Sequence, residues 1–359
     1  MASSPTVNRF RPWGDSSQLQ NPIDFIARRT HLIDHQLPVY RALPGSMRGN
    51  WLVTAELVGY LEERGVSPKA IARVGYNDLG GEGPIYCSSY GDLERAFRGS
   101  GRARPLYMTE HGCGYSFSNR HAAFSGGRGL RRLVSAFLEV NHYTQNRNSE
   151  FYPWIRSEIV GCPKLDEPFR RRRAHNSTNP VVCTSTHWNA QICPETRSGW
   201  TWLKPALPRL AGEFRVIGHG HPLIFDSLVR QYESMGIEPV RSFDDVIERA
   251  NVYITDGSST LYEFAAVGGP VVTLNPPFYR RDVHHGLRWW AHADVGVQCN
   301  EVELLNECVR EAICDKEPQQ RARKAAIQDV YPNLGTATDR AIEFLKDLAK
   351  NGCDNSSQN

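Results

Sequence analysis

The strongest constraint on this chain is an alternation. Short apolar or β-branched runs are each followed by a helical stretch, the pattern breaks once, and then it starts again. Strands alternating with helices of roughly 10–15 residues imply βαβ units, and those imply parallel sheets. In the first block, "VYRALP" and "NWLVT" flank Gly45–Gly49. "AELVGYLEERG" (55–65) has helical spacing and ends in glycine. "IARVGY" (71–76) and "PIYCSS" (84–89) are short apolar runs, and "DLERAFRGSG" (92–101) is a helix stopped by glycine. "RPLYMTEHGCG" (104–114) reads as a buried strand entering a Gly-rich loop. "GLRRLVSAFLEV" (129–140) reads as a helix, and "SEIVGCPKLD" (157–166) as a strand and turn.

"EPFRRRRAHNSTNP" (167–180) breaks the pattern. It is charged, polar and closed by proline, as an interdomain linker would be. Beyond it come the strands "VVCTST" (181–186), "FRVIG" (214–218), "NVYITD" and "PVVTLN", interleaved with "LIFDSLVRQYESMG", "FDDVIERA" and "STLYEFAAVG" as helices. Residues 301–314 and 319–328 are helical in pattern, and "ATDRAIEFLKDLAK" (337–350) is amphipathic. The expected organisation is a flexible arm (1–20), a first Rossmann-like domain (21–168), a linker (169–180), a second such domain (181–335) and a closing helix (336–350). A length of 359 residues agrees with about two domains.

Bulk properties exclude some classes. A net charge of +3 gives no global signature of nucleic-acid binding. No uninterrupted apolar run approaches the roughly 18 residues of a membrane span. "MASSPTVNRFRPWGDSSQLQ" has no apolar h-region, so no signal peptide is expected. Nine cysteines, an odd number without C-x-x-C, suit a reduced, cytoplasmic protein.

In open α/β sheets, ligands sit beyond the carboxyl ends of the strands. There this chain delivers Glu110-His111-Gly112, then His187-Trp188, then His219-Gly220-His221-Pro222, and finally Asp256-Gly257-Ser258-Ser259. Histidine is only 12 residues of 359, so its concentration at strand ends points to chemistry more than to packing. Asp256–Ser259 precedes a helix whose first N–H groups and dipole suit a phosphate. The same residues suit capping, with Thr260 and Glu263 spaced as a capping box. Both readings stay open here. His219 and His221 lack a cysteine or carboxylate at ligand spacing, which favours phosphate contact over zinc. His111 is a candidate general base or a structural turn histidine, with Glu110 orienting the ring or facing solvent. Arg170–Arg173 form either a solvated hinge or a polyanion contact. The chain has no G-x-x-x-x-G-K-[ST], no Asp-x-Asp and no G-x-S-x-G.

With "TEHGCGYSF", "GHGHP" and "TDGSSTLYEFAAVGGPVVTLNPP" in place, the chain resembles the GT-B glycosyltransferases. Within them it looks most like the CDP-glycerol glycerophosphotransferase and related bacterial and phage sugar-transferase group. The resemblance covers most of residues 100–300 at the level of motifs. It implies an α/β GT-B fold, with two Rossmann-like domains whose parallel sheets face across a cleft and a C-terminal helix packing back on the first. It also implies roles. His111 would deprotonate the acceptor hydroxyl, with Glu110 beside it. His187, His219, His221, Asp256, Gly257, Ser258 and Ser259 would hold a nucleotide diphosphate donor. Glu263 would reach the donor ribose, and Arg280 would line the cleft. No metal or other cofactor is implied. The expected activity is transfer of a sugar or polyol phosphate from a nucleotide-sugar donor. The acceptor is a cell-wall polymer, a modified nucleic acid or a small glycoside. The Glu-His-Gly-Cys-Gly loop lacks the tryptophan of the polymerases, which favours a sugar. The alternatives are a nucleotide-sugar 2-epimerase and a non-catalytic nucleotide- or glycan-binding protein.

Overall fold

The computed structural model describes residues 21–75, 79–100, 104–113, 129–171, 179–189, 194–279, 292 and 295–351. The arm (1–20), residues 172–178 of the linker and Arg280 lie outside the described residues. Among the described residues, seven strands build the first sheet: β1 (Ile23–Ile26), β2 (Arg48–Val53), β3 (Ile71–Arg73), β4 (Ile85–Cys87), β5 (Leu106–Thr109), β6 (Ala136–Glu139) and β7 (Arg156–Ile159). Their order is β3-β2-β1-β4-β5-β6-β7. Six strands among the described residues build the second: β8 (Val181–Thr184), β9 (Arg215–Gly218), β10 (Glu238–Pro239), β11 (Val252–Thr255), β12 (Val271–Leu274) and β13 (Val297–Cys299), in the order β10-β9-β8-β11-β12-β13. Every pairing is parallel. Parallel strands covered on both faces read as unbroken apolar runs. Accordingly β5, β6, β11 and β12 are buried at every position.

Two segments differ from the sequence reading. The run 129–140 is not a helix: Leu130–Leu133 form one 3-10 turn, and Ala136–Glu139 become β6, an interior strand between β5 and β7. Periodicity alone does not separate a short buried strand from a buried helix segment. Conversely, Thr30–Ala42 form a helix through "VYRA", with Pro38 inside it. Proline there removes a backbone donor and costs a hydrogen bond. Burial of Leu32, Ile33, Leu37, Val39 and Tyr40 against Phe25 and Trp51 offsets that cost.

The helix Ala337–Asn351 returns to the first half. Its Ala341, Ile342, Phe344, Leu345 and Leu348 join the cluster built by Ile33, Leu37, Tyr40 and Trp51. Its first turn is capped from afar. The Asp166 carboxylate accepts from the N–H groups of Ala337 (3.1 Å) and Thr338 (2.7 Å). A second apolar cluster runs across the junction of the halves, with Cys113, Val140, Cys162 and Leu165 against Leu261, Tyr262, Val330 and Tyr331. Among the described residues, no helix is long and apolar enough to cross a membrane.

Replacing a capping carboxylate costs about 1 kcal/mol. Asp166→Ala is therefore expected to lower the urea midpoint by that equivalent without changing the slope of the transition. An unmoved midpoint would show that the two bonds contribute nothing.

Candidate active site

Strand order reverses between β1 and β4 in the first sheet and between β8 and β11 in the second. Loops leaving the carboxyl ends diverge at such points and leave a crevice. β1 leads to Arg28–His31, β4 to Ser88, and β5 to Glu110–Cys113. From the second sheet, β8 leads to Ser185–Trp188, β9 to His219–Pro222, and β11 to Asp256–Ser259. These loops meet. The His35 and His111 rings lie 6.1 Å apart, and His111 and His31 5.8 Å. The row continues from His31 to His221 (5.8 Å) and from His221 to His187 (5.2 Å). It crosses from one half to the other. At the crossing Gly112 has φ +73°, and a Cβ on it would stand 2.8 Å from the Ser259 Cβ. Only glycine fits this close approach in the left-handed region.

Hydrogen bonds set the tautomers of His111 and His221. The Ser88 carbonyl accepts from the His111 backbone N–H (3.1 Å) and lies 3.0 Å from its Nδ1. A carbonyl can only accept, so Nδ1 carries the proton and Nε2 keeps its lone pair. At His221 the opposite holds. The Leu223 N–H donates to Nδ1 at 3.2 Å, which puts the proton on Nε2. The cleft thus holds one imidazole able to take a proton and one able to donate a hydrogen bond.

The remaining expected residues divide between cleft and framework. Glu110 is clasped by Arg131 and by Arg147 (3.2 Å); Ser88, not Glu110, holds the His111 ring. Asp256 is fully buried and accepts from the N–H groups of His187 (2.8 Å), Gly257 (2.7 Å) and Gly199 (2.8 Å), tying three loops together. The Gly257 N–H is thereby occupied. His219 is buried between Phe225 and Phe243, with Ser185 Oγ 3.3 Å from its Nδ1. His187 is 2.7 Å from the Trp188 carbonyl through Nδ1. The helix after β11, Thr260–Ala266, has Ser259 as its N-cap residue without a side-chain cap bond. The expected capping box from Thr260 does not form, because with Ser259 as N-cap the helix starts one residue too early for Glu263 to occupy its third position. Among the described residues, the backbone N–H groups of Ser258 and Ser259 have no partner.

Glu263 is 1 % exposed and fully engaged. Its Oε1 accepts from Ser259 Oγ at 3.1 Å, and its Oε2 pairs with Lys164 Nζ at 2.7 Å. His31, His35, Ser88 and Lys164 escaped the sequence reading. His31 and His35 ride on the helix that Pro38 disguised. The spacing H-x-x-x-H places them one helical turn apart on one face, the one signal that could have exposed them.

Burial and mutual proximity keep these imidazoles neutral. Burial, reinforced by His111, pushes His31 down to about 3. Burial and then His187 push His221 down to about 2. His111 is open to the cleft, yet loss of water from the surrounding walls lowers its pKa, against the pull of Glu110 and the Ser88 carbonyl. For Glu110 burial acts upward, but Arg131 and Arg147 outweigh it and lower the carboxyl. Among the described residues, no group of three His, Cys, Asp or Glu side chains is arranged to hold a metal ion.

No family model matches this chain, and neither does any curated protein. Solved structures do. A Staphylococcus aureus MnaA–UDP co-structure superposes with a TM-score of 0.62 at 14 % identity, covering 91 % of this chain and 96 % of that one. A structure of the wall teichoic acid polymerase TagF with CDPG gives 0.62 at 12 % identity, covering 95 % and 92 %. A structure described as a UDP-N-acetylglucosamine 2-epimerase from Listeria monocytogenes gives 0.61 at 13 %, covering 91 % and 96 %. The fold is GT-B. The expected architecture, two parallel sheets across a cleft with a returning C-terminal helix, is the one found.

A histidine held neutral by burial makes stability depend on pH. Burial, reinforced by Lys164, pushes His219 from 6.5 down to about 3. Its contribution is complete above pH 6.5 and is lost as pH falls toward 3, because there the unfolded chain binds the proton and the folded one does not. Between pH 7 and 5 the loss is about 2 kcal/mol. Glu139 and Asp92, raised by burial to about 7 and about 6, act in the opposite sense. The difference between wild type and His219→Gln isolates the imidazole: the variant's urea midpoint should fall less between pH 7 and 5. Equal falls would contradict a buried neutral His219.

Proposed function

We propose that this protein transfers a sugar from a nucleotide diphosphate donor to an acceptor hydroxyl, without a metal, in the cleft between its halves. One observation carries the reading. His111, from the first sheet, offers a lone pair at Nε2, and His221, from the second, offers an N–H at Nε2. Group transfer needs this pair of complementary partners. The acceptor must lose a proton, and the leaving diphosphate must be met by donors.

In this reading the diphosphate lies against the turn after β11. The unpartnered N–H groups of Ser258 and Ser259 and the His221 Nε2–H point to it, beside His187. The acceptor oxygen attacks the sugar carbon and a new C–O bond forms. The bond from that carbon to the diphosphate oxygen breaks, and its electron pair leaves with the diphosphate. The acceptor proton passes to His111 Nε2. Charge growing on the leaving group is met by donors already in place, which is where fixed dipoles act most strongly. Asp256 serves by tying the loops, and His219 is buried between Phe225 and Phe243. Both Glu263 oxygens are engaged, so we place it under Ser259 and not on a ribose.

The similarity to the structure described as a UDP-N-acetylglucosamine 2-epimerase, over 91 % of this chain, favours a second reading, nucleotide-sugar 2-epimerisation. Acceptor-free incubation with UDP-N-acetylglucosamine separates the two. Inversion at C2 supports the epimerase; turnover only with an added acceptor supports transfer. In either case His111→Gln should lower kcat by about 10²- to 10⁴-fold while the thermal transition stays cooperative. Wild-type turnover should survive excess EDTA. Full activity in His111→Gln would remove the base from the reading.

A further inference from the structure

The cleft histidines lie close to a buried ion pair that the proposed reaction does not use. Lys164, in the 3-10 turn Pro163–Leu165 after β7, reaches across the junction to Glu263 in the second half. Its ammonium is 2.7 Å from Oε2 and lies 5.2 Å over the Phe243 ring. The other oxygen of the same carboxylate accepts from Ser259 Oγ and stands 4.0 Å from His35 Nε2. Behind Lys164 a cavity of about 740 Å³ opens between the halves, bordered by Asp34, Arg64, Asp244 and Glu248. Lys164 is therefore part of the wall between that cavity and the cleft.

We propose that Lys164 is a positioning residue: it pins Glu263 across the junction, so that Ser259 is fixed at the cleft floor and the carboxylate charge is kept from His35 and His111. The assignment rests on His111 acting as the base.

A carboxylate beside an imidazole favours the imidazolium, and an ammonium opposes it. Lys164 faces Glu263, Asp34 and Asp244. His35 faces Glu263, Lys164, His111 and His31. His111 faces Glu110 besides Glu263, Lys164, His31 and His35, and His187 and His221 from the second half. Glu110 is already neutralised by its two arginines. Glu263 is thus the carboxylate whose balance depends on one lysine. Without Lys164 its charge would be left buried, with the His35 Nε2 as the partner 4.0 Å away. The Ser259 hydroxyl would lose a fixed acceptor in the same step.

The test follows the histidine ring protons by NMR across pH, together with the pH dependence of kcat/KM. Lys164→Met should raise the midpoints of His35 and His111 by about one pH unit or more, a tenfold change in proton affinity. The acidic limb of the rate profile should move the same way. Lys164→Arg, which keeps the charge, should leave both in place. The double variant K164M/E263Q should return both toward wild type, since both buried charges are gone. Lys164→Gln keeps a hydrogen-bond donor without charge, and should raise the midpoints even where the methionine variant does not fold. Unmoved midpoints in K164M or K164Q, or no return in the double variant, would overturn the proposal. The ring titration needs no turnover. Shifted midpoints in a protein without transfer activity would uphold the electrostatic assignment and reject the proposed reaction.

Discussion

Everything at the candidate site depends on one geometric constraint: all strands of each sheet are parallel. Parallel strands send every loop from their carboxyl ends to the same edge. Two such edges, each opened by a reversal of strand order, then face each other. Loops distant in sequence, after β1, β5, β8 and β9, are brought within ring contact, and the loop after β11 meets the one after β5 at Ser259 and Gly112. Strands alternating in direction would return half of these loops to the far edge. The imidazoles would then be scattered over two surfaces.

Within that frame, the charged groups divide into framework and chemistry. Asp256 spends its carboxylate on three backbone N–H groups, Glu110 on two arginines, and Glu263 on Lys164 and Ser259. Each of these anions is neutralised or hydrogen-bonded, as burial demands. The imidazoles, held neutral by the same burial, keep ring nitrogens for a ligand. A phosphate entering the cleft would meet N–H donors and no unpaired carboxylate among the described residues nearest His221.

Much of this was legible in the sequence, for physical reasons. Buried parallel strands are short apolar runs bounded by glycine or polar turns, so β4, β5, β8, β11 and β12 stood out. His111, His187 and His221 follow such runs directly, and the strand-end rule placed them. The helix Thr30–Ala42 did not stand out, because Pro38 interrupts a pattern that tertiary burial sustains. With it, His31 and His35 were lost from view. The strand β6 looks helical because three apolar residues and a glutamate carry no usable period. The partner of Glu263 lies 99 residues away, and no local spacing reports such a pairing. Local pattern offered a cap or a ligand for Glu263, and tertiary structure supplied a lysine.

The central claim is that two neutral imidazoles face one cleft with opposite tautomers. Long-range ¹H–¹⁵N spectra of the ring nitrogens at neutral pH test it directly. His111 should be protonated on Nδ1 and His221 on Nε2, with both rings neutral. Identical tautomers, or a doubly protonated ring at either position, would contradict it.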